Sequence, residues 1–334
     1  MFRHSIRTLL VSLCALTAAS QAATAVVLAV PADQARTTST PARALRTQTL
    51  SDLTTAMKGE AYAYASYSLF AVQADGRPRS SGGKLVINKA GQAVGALFRA
   101  TAQTELNEHL REAAALAGTV GTNAANLRQS INGESYEHQV MYRGFAEQAR
   151  KDGDLKAADL FTEIAADEGR HRNAYRTALT VLTTGRGTMP APQVAKTVSV
   201  PAGLPKVKAA RTKANLDTAM HGEALANAKY MLYAAHARQT GNAALARLFE
   251  GTAVVELHEH FAGEAVLAGL VRTTKTNLRT AITGERGEAT TGYPGFAKRT
   301  TAAGDSAAAR YFRNTAADEA THAAAFQQAL KQLR

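Results

Sequence analysis

Two stretches of the chain, "GESYEHQVMYRGFA" from Gly133 and "GERGEATTGYPGFA" from Gly284, keep Glu, Glu, Tyr and Phe-Ala at the same offsets while most residues between them differ. They belong to a wider register of carboxylates. Glu60, Glu105, Glu134 and Glu168 have the counterparts Glu223, Glu256, Glu285 and Glu319; 29 residues separate Glu105 from Glu134 and Glu256 from Glu285, and 34 separate Glu134 from Glu168 and Glu285 from Glu319. An exposed glutamate drifts by a position without cost, so carboxylates that hold register while their neighbours diverge are expected to point inward. A buried, uncompensated carboxylate costs several kcal/mol, and the natural compensators are basic side chains or metal cations. The surrounding motifs are "ELNEH" and "ELHEH", "GESYE" and "GERGE", and "DEGRH" and "DEATH". Residues three or four apart share a helix face, so each motif can chelate from one side. Such a set of carboxylates with one or two imidazoles per site suits iron or manganese better than zinc or calcium.

The elements that carry these residues also recur. "DLTTAMKGEAYAYASYSLFA" from Asp52 matches "NLDTAMHGEALANAKYMLYA" from Asn215, and "LFRATAQTELNEHLREAAALAG" from Leu97 matches "LFEGTAVVELHEHFAGEAVLAG" from Leu248. "AADLFTEIAADEGRHRNAY" from Ala157 likewise matches "AARYFRNTAADEATHAAAF" from Ala308. Each segment spaces its apolar residues by three and four, as at Leu160, Phe161, Ile164 and Ala165, the stripe of a buried helix face. Four such segments per copy predict two tandem four-helix bundles, residues 50–184 and 214–334. The first interval differs, 45 residues from Glu60 to Glu105 against 33 from Glu223 to Glu256, and the extra "GRPRSSGGKLVIN" reads as a longer loop between the first two helices. Composition agrees with an all-α class: 46% of the 334 residues are hydrophobic, aromatics are 6%, and there is no Trp.

The N-terminal "MFRHSIRTLLVSLCALTAASQAATA" combines Arg3 and Arg7 with an apolar run and small residues at Ala23 and Ala25, the pattern of a secretory signal over residues 1–25. The alternative is an uncleaved membrane anchor, since the segment Thr8 to Val30 is long enough to cross a bilayer. Residues 26–49 read as a connection to the first repeat. The one cysteine, Cys14, lies inside this leader, so a processed chain would have no disulfide and no cysteine-bound metal. The formal charge of +12 falls to about +10 without Arg3 and Arg7. Much of it sits in the segment 185–213, whose prolines, glycines and acid-free basic residues read as a solvated linker. No helix-turn-helix, zinc-finger or aromatic stacking motif accompanies the charge, so no nucleic-acid partner is expected.

Taken together, these motifs resemble the rubrerythrin branch of the ferritin-like superfamily, over Leu50 to Leu182 and Ala214 to Leu333. The resemblance implies two tandem ferritin-like bundles, each with a pair of irons, manganese being the alternative. It makes Glu60, Glu105, Glu134, Glu168 and His171 ligands in the first domain, with Glu137 as the additional glutamate of rubrerythrins. Glu223, Glu256, Glu285, Glu319 and His322, with Glu288, fill these roles in the second. Tyr67, Tyr142, Tyr230 and Tyr293 match tyrosines near the metals, or are ordinary packing. On the second helix the family's histidine position, three residues after the first Glu, is occupied by Glu108 or Glu259, and His109 or His260 follows one residue later. Gapless comparison favours the glutamates and leaves the histidines as candidates, while His138, His221 and His258 read as surface residues. The family's rubredoxin domain is missing. The implied activity is reduction of hydrogen peroxide, or of dioxygen, by an exported protein with an external electron donor. The alternative is capture and oxidation of ferrous iron without cycling. Association into a homo-oligomer or an internal pseudo-dimer is left open, as is whether each bundle closes within its domain or by helix exchange.

Overall fold

The computed structural model describes residues 44–76, 79–81, 84–86 and 89–333. Among them are eight long helices. In the first repeat α1 is Thr47–Asp75; α2 joins Lys89–Thr104, a π-helical turn Glu105–His109 and Leu110–Leu116; α3 joins Asn123–Tyr136, a π turn Glu137–Met141 and Tyr142–Lys151; and α4 is Leu155–Thr184. The second repeat gives α5 (Ala210–Gln239), α6 (Ala243–Val255, π turn Glu256–Phe261, Ala262–Ala268), α7 (Thr274–Gly287, π turn Glu288–Gly292, Tyr293–Ala303) and α8 (Ser306–Gln332). The all-α class expected from composition is therefore what forms. The insertion after α1 differs from the expected loop: Arg79–Ser81 (β1) pairs antiparallel with Lys84–Val86 (β2) in a small hairpin.

Consecutive helices pair as antiparallel hairpins, α1 with α2, α3 with α4, α5 with α6 and α7 with α8. The tight αα connections are set locally. Gly153 and Gly304, after α3 and α7, adopt positive φ of 78° and 76°, a conformation that glycine reaches without the Cβ penalty. Thr122 and Thr273 cap α3 and α7 by accepting bonds from the amides of Ala125 and Thr276.

The bundles do not close within a repeat. The core around Tyr67, Phe70 and Phe98 of α1 and α2 is completed by Leu278, Ile282 and Phe326 of α7 and α8. Leu127 and Tyr175 of α3 and α4 pack instead with Tyr230, Tyr233 and Phe249 of α5 and α6. One bundle is thus α1, α2, α7 and α8, and the other α3, α4, α5 and α6. Along their junction Ala61 and Ala65 of α1 share a core cluster with Ala224 and Ala228 of α5, small residues that let helix axes approach closely. A salt bridge adds to this framework, the guanidinium of Arg299 in α7 donating to both oxygens of buried Asp52 in α1 at 2.8 and 3.0 Å.

The segment expected to be a solvated linker is a strap pinned along α6. Its backbone amides at Val198, Gly203 and Lys206 donate to the carbonyls of His258, Val271 and Leu267. At its end the Asp154 carboxylate accepts from the amides of Lys208 and Ala209 at 2.8 and 3.0 Å. A Cβ on Gly251 would meet Pro192 of the strap at 2.5 Å, and one on Gly269 would meet Pro205 at 2.4 Å. Both glycines admit the strap by having no side chain. No described helix is long and apolar enough to cross a membrane; the segment Thr8 to Val30 lies outside the described residues.

Candidate metal centres

The exchange of hairpins decides which carboxylates meet. Four-residue sets whose donor atoms all lie within 4.8 Å of one another are Glu60, Glu105, His109 and Glu319, and Glu105, Glu285, Glu319 and His322. They share Glu105 and Glu319 and form a first centre, from α1, α2, α7 and α8. The second centre joins Glu134, Glu168, His171 and Glu256 with Glu168, Glu223, Glu256 and His260. The expected grouping of Glu60, Glu105, Glu134, Glu168 and His171 around one centre is therefore corrected. Glu60 and Glu105 face Glu285 and Glu319, whereas Glu134, Glu168 and His171 face Glu223 and Glu256, because each helix hairpin buries its stripe against the other repeat.

The π turns settle the geometry of α2 and α6. Bonding from i to i+5 puts more than four residues in a turn, so the residue four after Glu105 returns to its face while the residue three after it swings away. His109 is buried, its Nδ1 2.8 Å from Glu105, 3.1 Å from Glu319 and 3.8 Å from Glu60. His260 repeats this with Glu256 at 2.8 Å, Glu168 at 3.1 Å and Glu223 at 3.6 Å. Glu108 is exposed, and Glu259 accepts a bond from the strap amide of Lys196 at 2.8 Å. The preference for Glu108 and Glu259 over the histidines is thus reversed. The other pair is equally regular. His171 Nδ1 lies 2.8, 3.2 and 3.5 Å from Glu168, Glu256 and Glu134, and His322 Nδ1 lies 3.0, 3.1 and 3.3 Å from Glu319, Glu105 and Glu285.

Glu137 and Glu288 each open a π turn and are only partly buried, unlike the glutamates beneath them. Tyr67 donates to Glu285 and Tyr230 to Glu134, each across the repeats. Tyr142 donates to Glu223 and lies 3.0 Å from Glu264, while Tyr293 stands in the wall of a cavity beside Glu288. A phenol on a carboxylate oxygen fixes its orientation and tunes its basicity. Of the histidines read as surface residues, His258 is exposed, but His138 bonds the Ala165 carbonyl at 2.5 Å and His221 stacks on Tyr62 with ring centroids 3.9 Å apart.

Three features lay outside the sequence reading. Asp318 and Asp167 stand 3.5 and 3.6 Å from Nε2 of His109 and His260; the Asp that directly precedes Glu in both "DEGRH" and "DEATH" was the available signal. Gln193 of the strap bonds Nε2 of His171 at 2.9 Å. Glu264, fully buried behind the second centre, has one oxygen without a hydrogen-bond partner. Its counterpart in the first repeat is Ala113, so repetition could not reveal it.

The electrostatics are those of a site built for cations. Burial pushes Glu60, Glu134 and Glu223 well above the usual carboxylate range. Burial with repulsion from neighbouring carboxylates carries Glu137 and Glu288 up to about 8, and burial carries Glu285 to about 9. Burial would also raise Glu319, but hydrogen bonds from His109 and His322 outweigh it and hold Glu319 at about 2. For Glu168, burial is outweighed by the charges of His260 and His171. Burial disfavours the histidine cations, yet the surrounding carboxylates raise His171 and His260 far above their usual range and His322 to about 12. Even so, buried oxygens of Glu60, Glu105, Glu134, Glu168, Glu256, Glu285 and Glu319 have no hydrogen-bond partner. Apart from that of Glu60, each of these oxygens lies 2.8 to 3.5 Å from a centre imidazole, but four imidazoles face eight buried carboxylates, and an excess of oxygen donors converging from four helices fits metal cations.

Paired carboxylate centres inside four-helix bundles define the class of carboxylate-bridged metal proteins. The Rubrerythrin family profile matches residues 89–179 and 214–330, and the chain belongs to that family, with its domain present in tandem. Membership implies iron binding, for which the clusters supply the donor atoms. Nigerythrin from Nitratidesulfovibrio vulgaris is 32% identical over 143 residues, covering 39% of this chain and 65% of its own length. Rubrerythrin from Porphyromonas gingivalis is 39% identical over 59 residues, 18% of this chain and 30% of the relative. A putative rubrerythrin from Methanocaldococcus jannaschii is 38% identical over 60 residues, 18% of this chain and 29% of the relative. The chain spans less than two thirds of the length of each of these curated relatives. No solved structure matches.

Proposed function

We propose that this is an exported di-iron protein that reduces hydrogen peroxide with an external electron donor, each centre holding two irons. The observation that carries the reading is the doubled set of buried carboxylates, four facing two imidazoles in each centre, with a further partly buried glutamate beside each, Glu288 at the first and Glu137 at the second. Glu60, Glu105, His109, Glu285, Glu319 and His322 would hold one pair of metals, and Glu134, Glu168, His171, Glu223, Glu256 and His260 the other. Two ferrous ions supply the two electrons that, with two protons, convert peroxide to two waters. The chain's part is to fix the donors, with Tyr67, Tyr142 and Tyr230 orienting carboxylates and Asp167 and Asp318 orienting histidines. The bundle core excludes bulk water. Glu137 and Glu288, at solvent-facing π turns, are free to approach or leave the metals as their charge changes. The leader-like residues 1–25 support export to the envelope or beyond, and the absence of cysteine after Cys14 supports a separate reductant.

Two measurements test this. Iron per chain in the purified protein should be near four, falling below half in Glu168→Ala with Glu319→Ala. Glu137→Ala with Glu288→Ala should keep its iron but react with peroxide at least tenfold more slowly, equivalent to ~1.4 kcal/mol on the barrier. An unchanged rate in that variant, with no sustained turnover on an artificial reductant, would replace peroxide reduction by simple capture and oxidation of ferrous iron.

A further inference from the structure

The two centres have the same types of donor but not the same surroundings. A cavity of about 430 Å³ opens beside the first, lined by Lys58 and Gly59 of α1, His221 of α5, and Glu288, Gly292 and Tyr293 of α7. Gly292 is what keeps its α7 wall low, for a Cβ there would find only the Gly287 carbonyl at 3.7 Å and the Glu288 Cγ at 4.0 Å. In the other repeat this position is Met141, four residues after Glu137 as Gly292 is four after Glu288. Met141 is partly buried and packs against the cluster of Tyr142, Leu216 and Ala219, where Tyr142 and Ala219 are the counterparts of cavity residues Tyr293 and Ala56. On the far side, the strap places Gln193 on His171, whose side chain is 0% exposed, while the equivalent His322 is 14% exposed. Position 251, where Pro192 seats, is a glycine; its first-repeat counterpart Ala100 is exposed, with no strap over it among the described residues. Behind the second centre lies the additional acid Glu264.

We propose that the centres have diverged: small ligands such as peroxide bind at the first, through the cavity between Lys58, His221 and Gly292, and the second is closed to them by Met141 and Gln193. The cavity suits the task chemically. Its lining is polar, with Lys58 and the His221 imidazole beside the carboxylate of Asp217, and Glu288 of the first centre forms part of its wall. Duplication freed one site to keep access while the other traded access for burial.

The inference rests on the reading of both clusters as iron centres, and the experiment separates the two. The full-length ferric protein is assayed for iron, then titrated with sodium azide while the ligand-to-metal absorption band is followed. Expected are four irons per chain with one azide bound, the second azide at least tenfold weaker. Gly292→Met should lose the first azide while keeping four irons and a native helical spectrum, and Met141→Gly should strengthen the second. Two azides of equal affinity in the wild type would overturn the inference and leave the metal reading standing. Iron near zero would overturn both. Should Gly292→Met misfold, the wild-type stoichiometry and Met141→Gly still decide.

Discussion

At the scale of single residues, what was legible was whatever recurred. The glutamates and His171 and His322 stand out because they hold register between two copies that differ at many of the residues around them, and burial of an ion punishes drift. Glu264 did not stand out, because nothing pairs with it. The choice between Glu108 or Glu259 and His109 or His260, where gapless comparison favours the glutamates, turns on a local π turn that such a comparison does not register. It follows that His109→Ala with His260→Ala should remove at least half of the bound iron, whereas Glu108→Ala with Glu259→Ala should leave metal content within about a tenth of wild type; elemental analysis would reverse the assignment if the order were opposite. Glu264 offers a test of sign. Burial lifts its carboxyl well above 4.5, against the pull of His260 and the Tyr142 hydroxyl. Ionising it in the native state is therefore unfavourable. Its cost to stability is absent below the unfolded pKa and grows as pH rises towards the folded one. In metal-free protein, Glu264→Gln should melt at the same temperature as wild type near pH 4 and higher than wild type by about 2 °C or more near pH 7.5. Equal melting at both would mean that the acid finds a partner in solution.

At the scale of elements, helices α1 to α8 follow directly from apolar spacing and turn glycines, while the features that shape the centres do not. All four π turns start at a glutamate of the set, Glu105, Glu137, Glu256 and Glu288. A π turn exchanges good helical hydrogen bonding for a changed side-chain direction, and no pattern of apolar residues encodes that trade. The strap was misread for a related reason. Proline, glycine and lysine signal an absence of helix, and they are silent on whether the extended chain finds partners. Here it does, through amides at Lys196, Val198, Gly203, Lys206, Lys208 and Ala209. Hydrogen–deuterium exchange should show peptides covering residues 196–209 protected at least tenfold over their unstructured rate. Exchange at the unstructured rate would return the segment to the status of a free linker and remove Gln193 from the cover of His171.

At the scale of the whole molecule, repetition itself hid the architecture. Two similar repeats can close their bundles separately or by exchanging hairpins, and both arrangements make the same contacts between the same residue types, so no sequence spacing tells them apart. The choice has consequences for metal loading. Glu137, Glu288 and Glu285 hold protons up to about pH 8 to 9 in the metal-free protein, and the centre histidines are held charged by their carboxylates. A cation must displace those protons, so apparent affinity for ferrous or cobaltous ion should rise by at least tenfold from about pH 6 to pH 8, with proton release measurable in weakly buffered titrations. A flat profile would mean that the buried acids are already ionised. The sharpest consequence concerns the unit that binds metal. Neither centre is complete in one repeat: the first takes Glu60 and Glu105 from one and Glu285 and Glu319 from the other, and the second reverses the debt. A fragment of residues 44–184 therefore carries two half-sites that cannot meet. It can bind iron at a complete centre only by pairing with a second copy, whose α3 and α4 would stand in for α7 and α8. Its iron binding should accordingly depend on protein concentration and coincide with a dimer in sedimentation. Asp52→Ala in that fragment should weaken the dimer, since Asp52 anchors α1 to α7 through Arg299 in the intact chain and position 148, equivalent to Arg299, is a glutamine able to bond it. A monomeric fragment with two tightly bound metals would show that each repeat can close on itself and that the exchange is not what builds the centres.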